Sequence, residues 1–226
     1  MSKDEEMKID WRQELPQLAV IGSLFAVAAA VWRHVPQRMP VHWNLAGEVD
    51  RYGGKFEGVL LIPLIAAGLY GLLLFVPLLD SQRTNNLSFE NAYRTLRISF
   101  TLFLAILYGL MLAVAFGVVI DFSWWLCCLM GILFAVIGGQ LPALPPNGIA
   151  GVRTPWTVAN PGSWDKTHQQ ARWVFLAIGL MFFPLGWFKN GWSLALLLTV
   201  AIGGLTWLVI TSWRVWKAEQ HSVTDG

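Results

Sequence analysis

The sequence predicts an all-α integral membrane protein with six transmembrane helices and both termini in the cytoplasm. Hydrophobic residues make up 55% of the 226-residue chain and charged residues only 13%, whereas a soluble domain carries about 25% charged residues. The mean hydropathy is +0.52. Six apolar stretches are long enough to cross about 30 Å of hydrocarbon. These observations exclude a soluble globular domain, and a net charge of +2 gives no basis for direct nucleic-acid binding.

The six predicted spans are residues 15–32, 58–79, 98–119, 122–139, 171–188 and 192–213. Within these limits the only charged side chain is Arg172, at the second position of the fifth span. The first span is interpreted as a retained helix, because acidic residues outnumber basic ones before it and a signal peptide needs a basic leader. Tryptophans cluster at span ends, which is typical of side chains that anchor a helix at the membrane interface.

The orientation follows from the distribution of basic residues. Eleven of the 16 Lys and Arg residues fall on the side of the two termini and five on the opposite side, and cytoplasmic segments carry the excess of basic residues. The connection at 33–57 is therefore predicted outside the cell and the one at 140–170 inside. We divide the chain into an N-terminal half, 1–97, with two helices and the outer loop, and a half at 98–226 with four helices and the inner loop. The predicted location is a membrane that the chain crosses six times.

The outer loop carries the first set of candidate binding residues. Pro36 and Pro40 favour extended backbone before His42, and Asn44 with Gly47 favours a turn. Histidine and acidic side chains occur here, but without a regular metal-ligand spacing, so neither a metal nor another cofactor is expected. A structural role and a ligand-binding role both stay open for this loop. The candidates are His42, Trp43, Asn44 and Asp50.

The inner loop carries the second set. Thr154 precedes a proline and is predicted to be extended, and Ser163 is a plausible N-cap for a helix that continues into the fifth span. On that helix Trp164, His168 and Arg172 are spaced to share one face. Anchoring at the lipid interface and docking of a partner are both compatible with this pattern. The candidates are Arg153, Thr154, Pro155, Trp156, Thr157, Trp164, His168 and Arg172.

These two loops resemble the SdpI family of bacterial membrane proteins. The inner sequence PNGIAGVRTPWT at 146–157, followed by Trp164 and KTH at 166–168, is similar to the family signature. The outer VPxxxPVHWN motif, which begins at Val35, is similar to an uncharacterised domain that precedes the signature in many members. One departure is LPALP at 141–145, where a more basic stretch is expected. The resemblance implies a location in the bacterial cytoplasmic membrane and immunity against a secreted antimicrobial peptide. For the best-known member it also implies toxin-dependent recruitment of a cytoplasmic repressor to the membrane.

Three function classes remain to be compared. Catalysis is not expected, because the two loops lie on opposite sides of the membrane and cannot form one site; no catalytic residue is predicted. A small-solute or peptide transporter, or a channel-like protein, is the alternative, although it would normally place an ionisable group near the bilayer midplane. The preferred prediction is an immunity protein in the lipid bilayer that binds a secreted toxic peptide at its outer face and a transcriptional repressor at its inner face.

Overall fold

A computed structural model describes residues 10–75 and 87–224 of the chain. Within these residues the elements in order are α1 (Trp11–Val31), β1 (Met39–Trp43), β2 (Val49–Gly53), α2 (Leu61–Phe75), α3 (Leu87–Ala115), α4 (Phe122–Gln140), α5 (Pro155–Ala159), α6 (Pro161–Phe188) and α7 (Gly191–Thr224). A π-helical turn, Phe56–Leu60, leads into α2, and a 3-10 turn, Leu141–Ala143, follows α4. The fold is therefore helical, with one small hairpin between the first two spans.

Six helices in the described part of the chain are long and apolar enough to cross a membrane, which confirms the predicted number of spans. The third helix ends at Ala115, whereas the predicted span continues to 119. Several helices extend beyond the apolar stretches. The third begins at Leu87 rather than 98, and the fifth spanning helix begins at Pro161 rather than 171. Hydropathy marks only the part of a helix that suits lipid, so polar turns at its ends go undetected. The predicted end of the second span, 76–79, lies outside the described residues.

One compact unit comprises Met1–Leu79 and Arg97–Phe122. Here α1 and α2 pack through a buried cluster of Ile21, Tyr70 and Leu74, with Phe25 against it. The all-α prediction missed the hairpin in this unit: β1 and β2 pair antiparallel, with Met39 opposite Gly53 and Trp43 opposite Val49. The predicted extended segment before His42 and the turn at Asn44–Gly47 are confirmed, and they form the first strand and the tip of this hairpin.

The second compact unit comprises Asp80–Leu96 and Ser123–Gly226. Its helices α4 and α6 approach closely at Gly131 and Gly179, where an added Cβ on Gly179 would lie 2.7 Å from the Gly131 carbonyl oxygen. Helices α6 and α7 have 28 and 34 residues. At about 1.5 Å per residue both exceed the roughly 30 Å of a hydrocarbon core. Their ends therefore reach beyond the lipid, and α5 packs against both helices.

The start of α6 differs from the prediction. Ser163 was expected to be the N-cap, but Asn160 takes that position and its side-chain oxygen accepts a hydrogen bond from the Ser163 backbone N–H at 2.6 Å. Pro161 then occupies the first helical position, where its fixed φ suits the helix and its missing N–H costs nothing. The sequence Asn-Pro-Gly therefore begins the helix rather than forming a separate turn.

Candidate functional site

The tip of the hairpin is held by Asn44. The Asn44 backbone N–H donates to the Glu48 carbonyl at 2.9 Å, and the Gly47 N–H donates back to the Asn44 carbonyl at 2.9 Å. The Asn44 side-chain oxygen also accepts from the Glu48 N–H at 3.0 Å. Gly47 has a φ of 85°, which favours glycine. The candidate Asn44 thus shapes the turn, and its own side chain is already engaged.

The base of the hairpin is fixed by contacts with other residues of the first unit, which ends at Phe122. Met39 is fully buried against Gly58, where an added Cβ would lie 2.6 Å from the Met39 sulfur. The Lys55 ammonium donates to the Trp32 carbonyl at the end of α1, at 2.8 Å. Trp43 stacks on Phe122, with ring centroids 3.7 Å apart and planes within 14°. The base of the hairpin therefore packs against neighbouring elements and is not a loop without contacts.

His42 and Asp50 are the hairpin candidates that remain accessible. They face each other across the two strands, with the His42 Nδ1 and an Asp50 carboxylate oxygen 2.6 Å apart. Both side chains are exposed, at 60% and 41% of their surface. In the described part of the chain, no three His, Cys, Asp or Glu side chains converge as they would around a metal ion. The pair offers an imidazole and a carboxylate to a ligand arriving from solvent.

The inner loop forms a second structured region, which we call the loop platform and define as residues 141–160. Buried Asn147 organises its first part. The Asn147 side-chain nitrogen donates to the carbonyls of Pro145 and Ala150, at 2.8 and 3.1 Å. Its side-chain oxygen accepts from the N–H groups of Ile149 and Ala150, at 2.8 and 2.7 Å. One amide side chain thus satisfies four backbone groups of a segment without regular structure.

Trp164 and His168 bind the platform to α6. The Trp164 indole N–H donates to the Leu144 carbonyl at 2.7 Å. The rings of Trp164 and His168 stack, with their centroids 4.1 Å apart. The His168 Nδ1 lies 2.9 Å from the Trp164 carbonyl, and its Nε2 accepts from the Val152 N–H at 3.0 Å. Since Nε2 faces a donor, the imidazole is the neutral tautomer with its proton on Nδ1. Gly151, with φ of 120°, makes room for this ring: an added Cβ would lie 2.3 Å from Nε2.

Thr154 and Thr157 connect the platform to α7. Thr154 is extended, as predicted, and caps α5 together with Thr157 in a reciprocal capping box. The Thr154 hydroxyl donates to the Ser212 hydroxyl at 3.0 Å, and the Ser163 hydroxyl donates to the Ser212 carbonyl at 2.8 Å. Thr157 is fully buried, and its hydroxyl lies 2.9 Å from the Val152 carbonyl. These small hydroxyls hold the platform on α6 and α7.

The inner candidates therefore separate into two groups. Thr157, Trp164 and His168 are buried and contact the protein itself. Arg153, Pro155 and Arg172 are exposed, while Thr154 and Trp156 are half-buried. The Arg172 guanidinium lies 5.7 Å from the centre of the Trp173 ring. Trp164 and His168 share a face, as predicted, but that face points inward and the exposed Arg172 does not join them.

A buried polar cluster in the first unit was not predicted from the sequence. Glu14 and Arg97 are 4% and 8% exposed and form an ion pair between α1 and α3. The second Glu14 oxygen accepts from the Tyr70 hydroxyl at 2.8 Å and from the Gln17 amide at 3.2 Å. Three helices thus meet at one carboxylate. Glu14 and Arg97 each lie one position outside a predicted span, and their opposite charges at two span ends were the available signal.

The cluster has a distinct energetic character. Removing one partner of a buried ion pair leaves an uncompensated charge, which costs about 3–5 kcal/mol. Arg97 uses a terminal N–H towards Glu14, while its Nε–H has no hydrogen-bond partner among the described residues. The contact is therefore a single charged hydrogen bond and not a bidentate ion pair.

Comparison with known proteins agrees with the resemblance seen in the two loops. Residues 143–212, which include most of the platform, all of α6 and the first part of α7, match the SdpI/YfhL protein family. Residues 19–67, which include the hairpin, match a domain of unknown function, DUF1648. Immunity protein SdpI of Bacillus subtilis (strain 168) is 20% identical over 206 residues, which cover 91% of this chain and 97% of that protein. No solved structure matches the chain.

The six apolar helices and these matches agree on a location in a bacterial membrane. The chain is a multi-pass bacterial membrane protein in which a region that matches the SdpI/YfhL family follows a region that matches DUF1648.

Proposed function

We propose that this protein protects its host membrane against a secreted antimicrobial peptide by binding the peptide rather than destroying it. The observation that carries the proposal is the alignment with Immunity protein SdpI, which extends over nearly the whole of both chains. An alignment of 206 residues includes both loops and at least part of every spanning helix, so it supports a shared function as well as a shared motif. At 20% identity the ligand itself can differ between the two proteins.

The hairpin is the proposed peptide-binding element. With both termini in the cytoplasm, as the basic residues predict, residues 39–53 face the outside and meet a secreted peptide first. Its base is held by Met39 and Trp43, while His42, Asp50 and the half-exposed Tyr52 leave polar and aromatic surface free. A held hairpin loses little conformational entropy when it binds, which favours affinity.

The loop platform is the proposed site for a cytoplasmic transcriptional repressor. Buried His168 and Thr157 hold the Val152 backbone, and the Thr157 hydroxyl also accepts from the Thr154 N–H. The exposed Arg153 guanidinium is therefore presented from a defined position. No hydrogen bond or ion pair engages Arg153 within the described residues, which leaves its donors free for a carboxylate of a partner. Recruitment of this kind would connect peptide binding outside to gene regulation inside.

Binding is preferred over catalysis because the imidazoles of His42 and His168, the two candidate histidines, are poorly placed for proton transfer. Both ring nitrogens of His168 are already hydrogen-bonded within the protein. The pair of His42 and Asp50 is open to water on an exposed hairpin. An enzyme site needs a nucleophile or metal beside the base and exclusion of water around it.

Transport remains the second candidate, and the Glu14–Arg97 pair is the observation that favours it. Charged groups buried among spanning helices often mark an ion or substrate path. However, Glu14 is the fourth residue of α1, so at about 1.5 Å per residue it lies near the end of that helix. The Glu14 carboxylate therefore does not provide an ion-binding site at the middle of the membrane, and we prefer the immunity function.

Expression in a peptide-sensitive strain tests the proposal. Cells producing the chain are challenged with a panel of secreted, membrane-active peptides, and survival is compared with that of cells carrying an empty vector. We expect survival to rise for one peptide or a small group of related peptides. Unchanged survival across the whole panel, with the protein present in the membrane, would reject immunity and favour transport.

A further inference from the structure

The Glu14–Arg97 pair lies at the opposite end of α1 and α2 from the hairpin. Glu14 is close to the start of α1, and Tyr70 is close to the end of α2. The hairpin follows the end of α1 and precedes the start of α2, where Lys55 and Met39 fix it. The same two helices are therefore held at one end by the polar cluster and at the other by the hairpin.

We propose that Glu14 and Arg97 are positioning residues that set the hairpin for peptide binding, a proposal that rests on the function proposed above. A helix transmits displacement along its length because its backbone hydrogen bonds make it stiff. Arg97 brings α3 into the cluster of Glu14, Tyr70 and Arg97, which we call the joint. The chain after α3 leads to Phe122, on which Trp43 of the hairpin stacks. Release of the contact between Glu14 and Arg97 therefore changes the support that α1 and α2 give to the hairpin.

The chemistry of the joint predicts an asymmetry between its two partners. Arginine stays protonated in proteins, so Glu14→Gln leaves a buried positive charge with no counter-ion. A glutamate can take up a proton when buried alone, so Arg97→Gln leaves a carboxyl that can become neutral and keep its contact with Tyr70. Glu14→Gln should therefore disturb the joint more than Arg97→Gln.

A conservative replacement should rescue the joint. Arg97 engages Glu14 through a terminal nitrogen alone, and lysine can supply one charged donor. Arg97→Lys should thus retain most of the positioning, while Arg97→Gln should not. A role confined to filling space would not distinguish these two variants, since lysine and glutamine both shorten the side chain.

Distance measurement tests the proposal without any peptide. Spin labels are attached at Leu45→Cys, on the hairpin, and at Val119→Cys, after α3, in a full-length background lacking Cys127 and Cys128. Both native side chains are exposed, at 42% and 99%. We expect Glu14→Gln to shift or broaden the distance distribution, Arg97→Gln to do so less, and Arg97→Lys to restore it. Lys166→Gln is the matched control, because it removes an exposed ion pair with Glu219 of 3.9 Å in the other unit.

Protection is then measured for the same variants as the peptide concentration that halves survival. We expect at least a tenfold loss for Glu14→Gln and no change for Lys166→Gln. If Glu14→Gln fails to accumulate, Tyr70→Phe, which removes one hydroxyl donor, is measured for the same shift. An unchanged distance distribution in a folded variant lacking the pair would overturn the positioning role. A shifted hairpin with full protection would instead retain the positioning role and contradict the proposed use of the hairpin in immunity.

Discussion

Individual residues of the loop platform act mainly on backbone groups. Asn147 satisfies four of them, and His168 accepts the Val152 N–H beside Gly151. Thr157 lies in hydrogen-bonding range of the Val152 carbonyl. Because this segment lacks regular secondary structure over most of its length, side chains take the place of helix and sheet hydrogen bonds. The recurrence of small and polar residues in the motif follows from that requirement.

Replacement of Gly151 tests the most crowded point of the platform. Gly151→Ala places a Cβ 2.3 Å from the His168 Nε2 and forces alanine into a φ of 120°. Unfavourable backbone of this kind costs about 1–3 kcal/mol, and the clash adds to it. We expect a clearly lower melting temperature in detergent. The matched control is Gly139→Ala, where an added Cβ meets nothing within 4 Å. Equal melting temperatures for the two variants would show that the platform is not packed as described.

Arg153 tests the binding role of the platform rather than its stability. The side chain is exposed, so Arg153→Lys should leave the amount of protein in the membrane unchanged. Lysine lacks the planar fork that grips a carboxylate at two points. We expect weaker peptide-dependent movement of a fluorescently tagged host repressor to the membrane. Full recruitment by the lysine variant would mean that a point charge is sufficient and that the fork is not used.

Residue identity alone could not separate the two groups of inner candidates. Trp164, His168 and Arg172 have the spacing of one helical face, and the sequence does not state whether that face meets solvent or the chain itself. The loop that covers Trp164 and His168 comes from residues 141–152, and its irregular path has no periodic signal. The sequence also did not predict that Arg153 is exposed while Thr157, four residues later, is buried.

At the scale of elements, the hairpin depends on its contact with the turn before α2. Met39 is fully buried there, next to Gly58. Truncation of a buried methionine to alanine typically costs about 2–5 kcal/mol. Met39→Ala should therefore loosen the hairpin, and hydrogen exchange at residues 39–53 should increase. Tyr52→Ala, at a side chain that is 50% exposed, is the control and should exchange as the native protein does. Equal exchange in both variants would contradict the anchoring role of Met39.

The spanning helices were predictable from the sequence, whereas the pairing of the two strands was not, because the two kinds of element leave patterns of different strength. About 20 apolar residues in succession have few alternatives to a membrane span. Two five-residue strands with little alternation of apolar and polar side chains give a weak signal, and their pairing depends on the turn at Asn44 and the anchor at Met39. The Glu14–Arg97 pair was missed because charged residues beside a span are normally assigned to solvent.

At the scale of the whole molecule, the proposed function requires the hairpin outside the cell and the loop platform inside. Single cysteines in a background lacking Cys127 and Cys128 can be labelled in intact cells with an impermeant thiol reagent. Leu45 and Lys166 are suitable sites because their side chains are exposed. Gly162 is unsuitable, since an added Cβ would lie 2.2 Å from the Glu219 carboxylate. We expect labelling at position 45 only; labelling at 166 alone would reverse the orientation.

Protection by binding should depend on the number of protein copies in the membrane, whereas protection by turnover should not require an equal number of copies. The chain is expressed at graded levels in a sensitive strain that is challenged with the peptide it protects against. Survival is recorded while intact peptide in the medium and cells is quantified by mass spectrometry. A binding protein acts stoichiometrically, so the tolerated peptide should rise in proportion to copy number, be exceeded by excess peptide, and remain chemically intact. Continued loss of intact peptide at a copy number far below that of the peptide would show turnover and contradict the account.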